Sequence, residues 1–286
     1  MSDAGKVKGD SGESGKTGGL LQSTAVVGSM TLLSRILGLA RDMVYARFFG
    51  AGLIMDAFFV AFKIPNIFRR FFAEGAFSQA FVPVFAEYDE SRSKADAQVL
   101  ANNVAGTLGI ILFAFTAIGV IAAPVLISLF GMGWLFSDAP DNADKFALAT
   151  DMLRFTFPYL FFISLTALAG GILNTYKKFA APAFAPVLLN VVLIGFAAYV
   201  APYSSNPGII LAMGVFLAGL LQLLFMVPFL RGVNMLGRPR WAWHDPGVRR
   251  IAKLMLPALF GSSVAQINIL FDTMIATFLV TGSVSW

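Results

Sequence analysis

The chain has no cysteine, a single histidine and few charges for its 286 residues. Without cysteine there are no disulfides, no thiolate metal ligands and no thiol nucleophile. One histidine, His244, excludes a multi-histidine metal centre. Charged residues make up 13% of the sequence, where a soluble globular domain carries about a quarter. Hydrophobic residues make up 57%, and the mean hydropathy is +0.75. Water cannot solvate that much apolar surface, so lipid is the solvent for much of the chain. The net charge of +5 does not point to nucleic acid, because the basic residues sit between hydrophobic runs, as in membrane topology.

What is present is a series of spans. Residues 1–20 are Gly, Ser, Lys and Asp with almost nothing to bury, a disordered tail by composition. A helix needs about 20 mostly apolar residues to cross a bilayer, and seven candidates follow. They run from Leu21 to Phe49, Met55 to Phe77, Val99 to Phe130 and Leu153 to Tyr176. Two more lie on either side of the Pro202–Gly208 turn within the uncharged stretch from Phe179 to Leu230, and the last runs from Ile251 to Val280. The second continues toward Tyr88, with Pro65 and Pro83 as expected kinks. The fold class is therefore an all-α polytopic membrane protein.

Charge placement orients it. With the N-terminus in the cytoplasm, the inner segments hold Lys6, Lys8, Lys16, Arg92, Lys94, Lys177, Lys178, Arg231, Arg238, Arg240, Arg249, Arg250 and Lys253. The outer loops hold Lys145 beside Asp138, Asp141 and Asp144. Basic residues belong inside. The stretch from Trp241 to Lys253 reads as interfacial, its tryptophans at headgroup depth and its arginines facing anionic lipid, with His244 a loop residue.

The first two spans break the apolar rule. The first carries Arg35, Arg41, Asp42 and Arg47; the second carries Asp56, Lys63, Arg69, Arg70 and Glu74. A charge at the bilayer centre costs about 2.5–3.5 kcal/mol on insertion scales, so such residues face partners, water or a ligand and mark a pathway. Arg35 and Asp42 lie seven residues apart, as do Asp56, Lys63 and Arg70, which places each set on one helix face. From Asp56 to Arg70 the stripe covers about 21 Å at 1.5 Å per residue. Six basic residues against three acidic ones make the cavity positive, so its ligand is an anion. Guanidinium suits bidentate contact with phosphate oxygens. Two structural alternatives stand beside this reading: Arg47, Arg69 and Arg70 snorkel from span ends, or the charges form a buried ion-pair network. In the seventh span the lone Asp272 either binds a cation or proton or pairs with another helix.

The run SRILGLARDMVYARFFGAG (Ser34–Gly52), followed by DAFFVAFKIPNIFRRFFAEGAFSQAFVPVFAEY (Asp56–Tyr88), resembles the opening of the MurJ/MviN lipid II flippases. The stretch ILNTYKKFAAPAFAPVLLN (Ile172–Asn190) resembles a second signature of that family, and the similarity covers nearly everything from residue 22 to Trp286. The resemblance implies the multidrug/oligosaccharidyl-lipid/polysaccharide exporter superfamily: two six-helix lobes with two added C-terminal helices. Substrate would be undecaprenyl-diphosphate-linked peptidoglycan precursor, moved from the inner to the outer leaflet of the bacterial cytoplasmic membrane by alternating access. The family's essential arginines fall on Arg35, Arg41 and one or both of Arg69 and Arg70, and its aspartate at the start of the second helix on Asp56.

On this reading residues 21–230 form the first lobe, 231–250 a cytoplasmic linker, and 251–286 the first helix of a second lobe. The rest of that second lobe is then an expected partner, with the bilayer and a polyprenyl-diphosphate lipid; nucleic acid is not. The substrate-binding set is Arg35, Arg41, Asp42, Asp56, Lys63, Arg69, Arg70 and Glu74, and Asp272 is a possible cation-coupling residue. No catalytic residue, metal or cofactor is expected, since a polyprenyl-phosphate enzyme wants paired carboxylates around Mg²⁺ and the intramembrane acids stand singly among arginines. A related exporter of another lipid-linked oligosaccharide and a non-transporting scaffold are the competing functions.

Overall fold

The computed structural model describes residues 13–70, 76–136, 140–279 and 281–285; of residues 13–23, 76, 260–267 and 269 it describes the backbone alone. The helices are α1 (Glu13–Phe48), α2 (Leu53–Arg69), α3 (Ala76–Ser91), α4 (Lys94–Ile121), α5 (Ala123–Phe130) and α6 (Met132–Phe136). They continue with α7 (Asn142–Thr156), α8 (Tyr159–Thr175), α9 (Ala180–Gly195), α10 (Pro207–Gly232) and α11 (Pro246–Ala276). A π turn (Phe196–Val200) and a 3₁₀ turn (Ala201–Tyr203) end α9 at the expected Pro-Ser-Asn turn.

Local chemistry sets several boundaries. Ser93 and Asp96 form a reciprocal capping box that starts α4. Asp245 accepts from the backbone amides of Gly247 and Val248 to start α11, with Pro246 in the first turn where no amide partner is needed. Pro124 follows the break between α4 and α5, and Pro158 lies at the junction of α7 and α8.

Among the described residues four stretches are long and apolar enough to cross a bilayer unaided: Lys94–Ile121, Asn142–Thr175, Ala180–Tyr203 and Pro207–Gly232. The other expected spans are α1, α2 with α3, and α11, which carry the intramembrane charges. Two boundaries differ from expectation. Helix α1 begins at Glu13, inside the stretch whose composition suggested a disordered tail, while residues 1–12 lie outside the described ones. The fourth span begins at Asn142, not Leu153, because α7 stacks end to end on α8 across Phe157 and Pro158. Lys145 is therefore a buried helical residue, where its acidic neighbours had suggested a loop.

Helix α2 forms the centre of the larger core. Ala57, Phe58, Val60, Ala61 and Ile64 are fully buried there against Met152, Leu153, Leu160, Leu211 and Val215. Phe58 stacks on Phe62 and meets Tyr45 of α1 edge-on. A second core joins α3, α4, α8 and α11, with Phe77, Phe81 and Phe85 stacked along one face of α3 at 5.3 and 5.2 Å. Phe113, Ile118, Ile121, Val125 and Leu224 are exposed outside these cores, which suits a surface bathed in lipid. Small residues let helices approach closely: Gly219 lies under Tyr159 and Gly214 against Phe196. Gly106 instead admits the connection between α10 and α11: a Cβ there would meet the Arg240 backbone at 2.3 Å.

The two ends of the bundle differ. At one, the turns α3–α4, α8–α9 and α10–α11 come together through Arg250–Glu87 (2.8 Å), Tyr176–Asp89 (2.5 Å) and Asn103–Asp245 (3.2 Å). Arg92, Lys94, Lys177, Lys178, Arg231, Arg238, Arg240 and Arg249 are exposed there, with Trp241, Trp243 and His244. Arg250 holds the exposed Glu87 carboxyl below its ordinary pKa by hydrogen bond and charge. At the opposite end the residues following α11 fold back over α2, α6 and α7, and Gly133 donates its backbone amide to the Thr277 hydroxyl at 3.0 Å.

Candidate functional site

The charged residues of the first two spans separate into three environments. On α1, Arg41 donates from Nε and Nη2 to Asp42 Oδ1 at 3.0 and 2.7 Å, and from Nη1 to Asn190 Oδ1 of α9 at 3.2 Å. Asn190 completes the anchor by donating from Nδ2 to the Ser34 carbonyl at 3.0 Å. The guanidinium also lies 5.7 Å from the Tyr45 ring centroid. These contacts fix Arg41 without enclosing it. Arg41 and Asp42 line a cavity of about 660 Å³ with Tyr45, Met55, Phe59 and Ser285. Arg35 is exposed two turns before Asp42 and has no ion-pair or hydrogen-bond partner among the described residues. Arg47 is exposed at the last turn of α1, as a snorkelling residue would be.

Asp56 belongs to the second environment. It is 1% exposed, and its Oδ2 and Oδ1 accept from the backbone amides of Gly282 and Ser285 at 2.7 and 3.1 Å. Lys145 of α7, 2% exposed, places Nζ 3.8 Å from Asp56 Oδ2 and donates to the Thr281 hydroxyl at 2.8 Å. Asp56 therefore pairs with Lys145 and the segment after α11. Its neighbours Met55 and Ser285 line the Arg41 cavity, so the buried pair forms a wall behind it.

The third environment lies further along α2. Lys63 is half-buried on α2, Asp272 of α11 is exposed, and no hydrogen bond or ion pair joins the two among the described residues. Arg69 donates from Nε to Asn66 Oδ1 at 2.9 Å and lines a second cavity of about 460 Å³ bounded by α3, α8, α9 and α10. Arg70 is exposed, and Glu74 lies outside the described residues. The structure thus brings Arg41 and Asp42 to one cavity and Arg69 to another, with Asp56 behind the first.

Sequence reasoning missed Asn190, Lys145 and the 281–285 segment. Asn190 closes the second signature string, and a lone amide in an apolar run is a usable signal because a buried amide needs partners. Lys145 carried no such signal, since acids flank it on the chain.

A bundle helical throughout its described elements, arginines held open on a membrane helix, and a charge-paired closure at one end define one lobe of a multi-pass membrane transporter. The family model described as "Lipid II flippase MurJ" matches residues 45–286. The "Probable lipid II flippase MurJ" of Haemophilus influenzae is 52% identical over 90% of this chain and 51% of its own length. The "Lipid II flippase MurJ" of Burkholderia cenocepacia is 44% identical over 93% of the chain and 52% of its own length. A solved structure, "Lipid II flippase MurJ, inward closed conformation", superposes with a TM-score of 0.73 at 28% identity, covering 91% of this chain and 52% of that one. An inward-facing multidrug transporter of the MATE family shares the fold at TM-score 0.64 and 17% identity. The chain belongs to the MurJ lipid II flippase family. It spans about half the length of the curated relatives it matches.

Proposed function

We propose that this chain supplies the first lobe of a flippase carrying a polyprenyl-diphosphate-linked peptidoglycan precursor, lipid II or a close analogue, across the bacterial cytoplasmic membrane. The observation that carries this reading is the state of Arg35 and Arg41. Arg41 lines the cavity with the exposed Asp42 as its ion-pair partner, and Arg35 is exposed two turns before Asp42 on the same membrane helix, so both charges stay within reach of an anion. Arg41 gives Asp42 two bonds, and a diphosphate competes for the same donors with more acceptor oxygens.

The basic end of the bundle is assigned to the cytoplasm and the closed end to the outside. Lipid-linked substrate would then load past Arg69 from the inner leaflet and meet Arg35 and Arg41 deeper in the membrane, its polyprenyl tail staying in lipid. Exit requires the closed end to open, and the Asp56–Lys145 pair with its two backbone bonds is what must be released there. Residues 21–230 act as the lobe, 231–250 as the linker, and 251–286 as the first helix of a second lobe against which this one rocks. Asp272, exposed on α11, is the candidate for binding a proton or cation during the cycle. No covalent step is involved.

The test is binding of undecaprenyl diphosphate to the chain in nanodiscs of neutral lipid. Arg35→Ala and Arg41→Ala should each weaken binding by about tenfold or more, the scale of a charge-assisted hydrogen bond. Binding that is unchanged in both variants would refute the assignment of these arginines. An exporter of a different diphosphate lipid would behave alike here and separate only when headgroups are compared.

A further inference from the structure

Helix α2 carries a proline in its interior, Pro65, between Asp56 toward the closed end and Arg69 toward the basic end. A proline inside a helix has no amide to offer the carbonyl one turn back, which here belongs to Ala61. Ala61 is fully buried, so its carbonyl needs a donor from somewhere other than water. Another helix supplies it. Thr156, the last residue of α7 and itself fully buried, donates its hydroxyl to the Ala61 carbonyl at 2.9 Å.

The donor stands at a break of its own. Helix α7 ends at Thr156 and α8 begins at Tyr159, with Pro158 between them. The residues around that break grip α2 on both sides of its proline. Tyr159 meets Phe62 edge-on at 6.0 Å, and Phe157 meets Phe68 edge-on at 6.0 Å. Helix α4 reaches the same level: Gly119 lies against the Phe157 ring, where a Cβ would come within 2.0 Å, and α4 gives out within a turn, at Ala122. Breaks in α2, α4 and α7–α8 therefore share one layer across the lobe. Asp56 and Lys145 lie on one side of it and the Arg69 cavity on the other. Helices bend most readily where the hydrogen-bond ladder is already interrupted. The hydroxyl also has a second acceptor within reach, the Leu153 carbonyl of its own helix at 3.4 Å. When α2 draws away, the proton turns back to Leu153, a bond threonines in helices commonly make. An amide in the α2 ladder has no such alternative.

We propose that Thr156 is a positioning residue for transport, latching α2 at Pro65 while the closed end is shut and releasing it to bend there when that end opens. Latched, it fixes the angle between the half of α2 that carries Asp56 and the half that carries Arg69. The proposal rests on the flippase reading above and adds to it the place where the lobe flexes.

The experiment pairs two readouts: the thermal midpoint of the chain in detergent, and rescue of cells depleted of their own lipid II flippase by the chain with the remaining half of the fold supplied by a relative. Thr156→Val keeps nearly the same shape without the hydroxyl and should lower the midpoint by several degrees. Thr156→Ser should lower it by less and keep rescue. Pro65→Ala supplies the missing amide, so Thr156→Val made in that background should cost little beyond Pro65→Ala alone. That double variant is decisive. It should fold and bind undecaprenyl diphosphate as wild type does, because Arg35 and Arg41 are untouched, yet fail to rescue because α2 has lost its hinge. A full loss of midpoint from Thr156→Val in the Pro65→Ala background would mean that the hydroxyl does not serve that carbonyl, and would overturn the proposal. Full rescue by the double variant would overturn it too, since the lobe would then work without bending at Pro65. Failure of the unsubstituted halves to rescue, or rescue that survives Arg41→Ala, would instead refute the flippase reading and take the hinge with it.

Discussion

Arg41 and Asp56 are both charged residues, on consecutive membrane helices joined by a short turn, and the protein treats them in opposite ways. Asp56 is enclosed, with a lysine at 3.8 Å and two backbone amides on its carboxylate. Arg41 is held on one side by Asp42 and Asn190 and left facing a cavity on the other. A charge in the membrane that is fully satisfied contributes to structure or closure. One that is oriented by an exposed carboxylate and left open to a cavity is kept for a ligand. The contrast separates the closing device from the binding device within a stretch that reads as one charged cluster.

The largest effect should come from breaking the enclosed pair on one side. Lys145→Met leaves Asp56 buried without its cation, which costs about 3–5 kcal/mol for such pairs and should lower the thermal midpoint of the chain in detergent by several degrees. Replacing both, Asp56→Asn with Lys145→Met, should recover much of that loss. If the double variant is no better than the single, the pair is not the unit described here. Gly106→Val comes next, since a side chain there meets the Arg240 backbone at 2.3 Å. It should detach the segment between α10 and α11, read as new protease cleavage near residues 236–242.

Asn190→Ala sharpens the other side of the comparison. It removes a bond to Arg41 and one to the Ser34 carbonyl, worth about 1 kcal/mol each. Diphosphate affinity should fall by less than in Arg41→Ala, because the guanidinium remains and only its aim is loosened. The smallest effect belongs to the exposed Glu87–Arg250 pair. Arg250 depresses the Glu87 pKa, so the folded protein holds the carboxylate more strongly than the unfolded chain does. Its stabilisation is therefore present above the ordinary glutamate range and is lost as pH falls through the depressed value. Arg250→Gln should flatten that acid-side slope by slightly lowering the midpoint at neutral pH, where the pair's stabilisation is present, and leaving it unchanged in acid. Added salt should mimic the substitution.

The spans were legible because hydrophobic runs and basic turns are properties of consecutive residues. Pro202–Gly208 marked its turn, whereas the break between α4 and α5, just before Pro124, falls inside the stretch read as one span from Val99 to Phe130. Arg35, Arg41 and Asp56 stood out for the same reason, since a charge in an apolar run is visible without a partner. Partners were not visible. Asp56 meets Lys145 and Gly282 from distant parts of the chain, and helical spacing relates only residues on one helix. Lys145 sits among Asp141, Asp144 and Asp151, which gives the composition of a loop although its side chain is buried. Thr156 was silent because Pro65 marks a kink without showing what donates to the carbonyl it leaves open, and only the packed structure brings the α7 hydroxyl there.

The most direct test of the account is complementation in cells depleted of their own lipid II flippase. The arms are this chain, this chain with the remaining half of the fold supplied by a relative, and the second arm again with Arg41→Ala. The account predicts rescue when both halves are present and loss of that rescue with Arg41→Ala at unchanged membrane abundance. Rescue that persists with Arg41→Ala, or no rescue despite stable insertion of both halves, would contradict it.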